Sequence, residues 1–138
     1  MGILILITFF IIILFKQINL KNIDINISNN SMPNADISEP KFAINNETKK
    51  IYITANEGNF LNNNEILLKD NVKFKSNDFS IETQNVVFDR NKQTAESNTK
   101  SIFKSKNTTI SSDGFNIYDN GNKIIFYGKS FIILRWIL

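Results

Sequence analysis

The side chains able to move protons or electron pairs are 13 carboxylates, 16 lysine or arginine cations and 3 tyrosines, with His and Cys both absent. That removes the commonest general base and metal ligand, the thiolate nucleophile and any disulfide. The carboxylates fall mainly at turn signals, no Ser stands in a nucleophile-elbow setting, no Gly-rich loop cradles phosphate, and metal-ligand spacing is absent. The sequence therefore predicts no catalytic residue, no metal site and no cofactor. Lys69, Lys73, Lys75, Lys104 and Lys106 alternate with apolar residues, as on solvated strand faces that discourage wrong edge pairing. The formal charge of +3 is scattered along the chain. Without a clustered basic stripe it argues against a nucleic-acid partner.

Strands must position these residues, because from Glu39 onward the dominant period is two. "KKIYITANEG" sets Ile51, Ile53 and Ala55 on one face, and "NVKFKS" sets Val72 and Phe74 against Lys73 and Lys75. "FSIETQNVVFD" aligns Phe79, Ile81 and Thr83, then resumes with Val86 and Phe88. "TTISSDGFNIYD" places Ile110 and Ser112 before Phe115 and Ile117, and "NKIIFYGKS" aligns Ile124, Phe126 and Gly128. Turn signals such as Asn62-Asn63-Asn64, Ser76-Asn77-Asp78 and Asp119-Asn120-Gly121 punctuate these runs. No stretch beyond residue 21 carries helical periodicity. Asn, Ile and Lys are heavily used throughout, which reads as compositional background.

A signature of Ile, any residue and a small residue occurs at Ile53-x-Ala55, Ile81-x-Thr83 and Ile110-x-Ser112, at offsets of 81 − 53 = 28 and 110 − 81 = 29 residues. "LKDNVKF" from Leu68 is echoed by "FYGKSFI" from Phe126, 126 − 68 = 58 residues later. One such unit cannot bury its apolar face alone, so units must stack or fold over each other into a two-layered roll. The fold class expected is all-β, a twisted roll of short antiparallel strands.

Ahead of this domain, "MGILILITFFIIILF" is apolar apart from Thr8, and no A-x-A-like cleavage site follows it. Extended to Leu20, with Lys16 snorkelling, it reads as one N-terminal transmembrane helix. Lys16 and Lys21 follow the span, and a native start further upstream with its own lysines would reconcile the positive-inside rule with an outward-facing domain. The expected organisation is an anchor at 1–20, a polar tether at 21–38 containing Pro33, and a β-domain at 39–138.

The apolar span, the tether, "EPKF", "YITANEG", "LLKDNVKFKSNDFSIETQNVVFD" and "IIFYGKSFII" together resemble the LptC family over essentially the whole chain. That family is the bitopic inner-membrane component of the lipopolysaccharide export machine of Gram-negative bacteria. LptA and the periplasmic part of LptD share the β-jellyroll signature, and the uncleaved anchor points to LptC. The resemblance implies a single-pass inner-membrane protein with a periplasmic β-jellyroll. Such a domain receives lipopolysaccharide from an inner-membrane ABC transporter (LptB2FG-like) and passes it to an LptA-like bridge protein that joins its C-terminal edge. Energy for the movement comes from the transporter.

On that resemblance, Ile53, Phe74, Phe79, Ile81, Phe88, Phe115, Ile117 and Phe126 line a cavity for acyl chains, and the lysines meet lipid phosphates at its rim. Phe131, Ile132, Ile133, Leu134 and Trp136 form the partner edge. The same residues serve equally as an ordinary core and as a last strand buried on both faces. An anchored scaffold that carries no lipid, and a soluble LptA-like carrier, are the alternatives. One departure stands out: the family's Leu-x-Gly-x-Val is here Leu68-Lys69-Asp70-Asn71-Val72, so Asp70 must take a turn geometry that Gly adopts more easily.

Overall fold

A computed structural model of the protein describes residues 35–136. The expected transmembrane helix and most of the expected tether lie outside the described residues. Among the described residues there is no helix long and apolar enough to cross a membrane. Within the described residues twelve strands follow one another: β1 (Ile37–Ser38), β2 (Lys41–Asn45), β3 (Lys50–Thr54), β4 (Glu57–Phe60), β5 (Glu65–Lys75) and β6 (Phe79–Asp89), then β7 (Thr94–Ser97), β8 (Ser101–Ser105), β9 (Thr108–Ser112), β10 (Gly114–Tyr118), β11 (Lys123–Tyr127) and β12 (Phe131–Leu134). The first described strand thus lies within the stretch read as tether, where Ile37 pairs with Gly58.

All pairings are antiparallel, in one open sheet. Strands β5 and β6, eleven residues each, form its central hairpin. Each is long enough to hold two partners in succession. β5 pairs with β4 through Ile66–Lys69 and with β3 through Lys73–Lys75; β6 pairs with β8 near its start and with β7 near its end. The hairpin therefore belongs to two layers. The first runs β1-β4-β5-β6-β7-β10-β11, and the second runs β2-β3-β5-β6-β8-β9-β12.

Between the halves of the hairpin the register shifts from Lys69 to Val72, leaving Asp70 and Asn71 opposite Gln84 alone. Both bulged residues have positive φ, 59° and 54°, so Asp70 does adopt the left-handed geometry its position demands. Such a bulge bends both strands and turns one layer over the other. The inner faces then meet. Phe42 on β2 lies 5.3 Å from Phe88 on β6, Phe74 on β5 lies 5.4 Å from Phe115 on β10, and Phe103 on β8 lies 5.4 Å from Phe126 on β11.

The repeated signature explains the bends. Ala55, Thr83 and Ser112 each stand where the chain crosses from the second layer to the first, and each is buried. A larger side chain there would occupy the inside of the corner. The next inward residue follows three positions on, at Gly58, Val86 and Phe115. Three of the four returns to the second layer instead use left-handed backbone, at Glu39, at Asp70 and Asn71, and at Gly128. There the inward positions stand further apart, as from Leu68 to Val72.

Thr83 also anchors a group of hydroxyls at the corner, with Ser97 at 3.0 Å, Thr99 at 2.8 Å and Ser101 at 3.0 Å. Mutual hydrogen bonding removes the penalty of burying them. Part of the Asn usage has a local role at the turns: Asn62 Oδ1 accepts from the N–H groups of Asn64 and Glu65, and Asn46 Oδ1 accepts from those of Thr48 and Lys49.

Candidate functional site: the apolar interior and its open edge

The interior is built from period-two alternation in both layers. Ile53, Phe74, Ile81, Phe115 and Ile117 are fully buried, Phe88 and Phe79 nearly so, and Phe126 packs half-buried against them. All eight residues expected from the sequence thus lie in one cluster. At its centre the layers touch, because Phe74 and Phe115 meet edge to face at 90°. Such a ring pair contributes about 0.5–1.5 kcal/mol beyond its area burial.

Sequence reasoning missed Phe42, Ile44, Ile66, Leu68 and Phe103, which belong to the same interior or pack against it. Their signal was present as alternation, Phe42 with Ile44 and Ile66 with Leu68. Phe103 was harder to find, since Ile102 beside it is apolar and points the other way. One row on the inner face of the second layer takes one residue from each of seven strands: Phe42, Ile53, Phe74, Ile81, Phe103, Ile110 and Ile132. Along it the shelter changes. The middle members are sealed, Phe103 and Ile110 are half-buried, and Ile132 is 62% exposed. Phe103 stacks on Phe79 at 5.3 Å and meets Phe126 edge-on, a partly open aromatic group on the side bounded by β11 and β12.

Among the described residues β12 hydrogen-bonds to β9 alone, and Phe131, Ile132, Ile133 and Leu134 are all 58–62% exposed. Among the described residues neither face of β12 is covered and one of its backbone edges has no partner, unlike a strand buried on both faces. Trp136, beyond the strand, is 88% exposed. The lysines do not form one rim. Lys69 stands on the outer face of the first layer, Lys73, Lys75 and Lys104 stand on that of the second, and Lys106 is in the turn before β9. Among the described residues no cluster of acidic side chains could hold a metal ion.

Residues 32–130 match the family described as LptC, lipopolysaccharide-assembly, LptC-related. The chain belongs to the LptC family. No curated protein matches it. Membership makes this LptC-related chain a component of lipopolysaccharide transport, and the all-β sheet folded over an apolar interior is consistent with that family's β-jellyroll.

Proposed function

We propose that this LptC-family domain takes up the acyl chains of lipopolysaccharide between its two layers and passes the lipid on through strand pairing at β12. The observation that carries the reading is the apolar row from Phe42 to Ile132, which runs from a sealed centre to an exposed edge without a polar interruption. Each methylene sheltered from water contributes roughly 0.8 kcal/mol, so several chains gain ample affinity without specific polar recognition. Entry is from the side of Phe79, Phe103 and Phe126, where the inner faces are least covered. Residues 1–20 anchor the chain in the inner membrane, the segment after them tethers the domain, and the domain faces the periplasm. The donor is an inner-membrane ABC transporter, and the acceptor is a bridge protein whose sheet continues from β12.

The test is photocrosslinking in cells with a probe at Phe103, Phe126 or Phe74, and a control at the exposed turn residue Lys92. Adducts to lipopolysaccharide at the first two positions and not at Lys92 are expected, with Phe74 labelled if the layers part fully. Adducts to protein alone at Phe103 and Phe126 would instead make the domain a scaffold that recruits partners without carrying lipid.

A further inference from the structure

The two outer faces of the roll differ sharply in charge. On the second layer, Lys41, Lys50, Lys73, Lys75 and Lys104 point outward with Glu82 as the only acidic residue among the paired strand positions, five positive charges against one negative. The first layer carries Glu57, Glu65, Asp89 and Glu96 at its outward positions against Lys69 and Lys123, four negative against two positive. The sequence alone hides this difference, since Lys69 and Lys73 are four residues apart yet fall on opposite sides of the bend.

Exposed apolar groups share the basic face. Register places Tyr52 beside Lys75, and sets Ile102 and Phe131 on either side of Ser111, with Ile133 beside Thr109. Their exposures run from 40% at Ile102 to 61% at Phe131. Two shallow grooves open here: one of about 430 Å³ beside Tyr52, Lys73, Lys75 and Ser80, and one of about 390 Å³ beside Ile102, Ser111, Lys129 and Phe131. Lysines spread over a broad face and interleaved with aromatic and aliphatic tips suit a laterally extended anionic surface with an apolar layer beneath it. A compact acidic protein patch would need the lysines gathered in one place.

We infer that the outer face of the second layer docks on a bilayer surface bearing anionic phospholipid headgroups, with Lys73, Lys75 and Lys104 at the headgroups and Tyr52, Ile102 and Phe131 at the interface. The contact turns the first layer away from the bilayer. It is independent of what the interior carries.

The chain has no Cys, so one introduced at Thr54 reports on the second layer and one at Asn116 on the first. Full-length chain carrying a fluorophore at either site is reconstituted into phosphatidylcholine vesicles with or without phosphatidylglycerol, and quenching by a headgroup-labelled lipid is measured. With phosphatidylglycerol, quenching at Thr54 is expected to exceed that at Asn116 several-fold. The difference should collapse in high salt, in phosphatidylcholine alone, and in the Lys73→Glu/Lys75→Glu/Lys104→Glu variant. Equal quenching at both sites, or a preference that survives both high salt and the neutral lipid, overturns the inference. Those two arms need no variant, so the result stands even if the triple substitution misfolds.

Discussion

The bends that carry the chain from the second layer to the first are built differently from those that carry it back. The outward crossings spend a buried small residue, Ala55, Thr83 or Ser112, on the inside of the corner. Three return crossings spend backbone conformation instead, with positive φ at Glu39, Asp70, Asn71 and Gly128. The difference teaches that one corner can be made in two ways: the first is limited by side-chain volume, the second by the reluctance of L-residues to enter the left-handed region.

That contrast breaks most visibly at Thr83. Thr83→Leu both overfills the corner and deprives Ser97, Thr99 and Ser101 of a hydroxyl partner, and urea unfolding should show a loss of roughly 2–4 kcal/mol. A loss below that range would mean the corner tolerates volume. At the return bend, Gly128 has φ of 77° and an added Cβ would press on the Asp113 side chain, whose Oδ2 accepts from the Lys129 N–H at 2.8 Å. Gly128→Val should cost about 1–3 kcal/mol in the same measurement. The reverse change sharpens the comparison: Asp70→Gly relieves left-handed strain and should stabilise by about 0.5–1 kcal/mol, whereas Thr83→Gly should not stabilise at all.

The smallest effect concerns Tyr127, whose hydroxyl donates toward the Ser97 carbonyl at 3.0 Å beside the first-layer end of the corner. Burial, and after it the charge of Glu96, raises its phenol above the ordinary value of 10.0. The folded state therefore holds the proton more tightly than the unfolded chain. Stability from this group is full below pH 10.0 and is lost as pH rises through the folded value. Tyr127→Phe should flatten the alkaline limb of a Tm-versus-pH curve relative to the parent.

Much of this was legible in the residues. Period two identified the strands and which side chains face inward, and the break in phase after Thr83, where the inward series resumes at Val86, already marked the corner. The signature ending in Ala55, Thr83 and Ser112 reads in the sequence as a repeat, and its small residues fall at the bends because volume at a tight corner constrains residue type. What stayed hidden depends on pairing between distant strands. That β5 and β6 serve both layers cannot be read from the break in their alternation, since the break does not say which strands pair on either side of it. The exposure gradient from Phe74 to Ile132 is likewise a property of position across the sheet. The charge difference between the outer faces was hidden for the same reason, as Lys69 and Lys73 look equivalent in the chain.

The central hairpin has a consequence for how the domain assembles. β5 and β6 are joined by the three residues 76–78, so their pairing closes one of the shortest loops in the fold and carries little entropic cost. The other described strands of either layer can then be added outward from this seed, β3 and β4 on one flank and β7 and β8 on the other, with β12 joining β9 on a template already formed. On the proposed partner pairing, a strand supplied by another protein at β12 is, kinetically, the next addition in the same series.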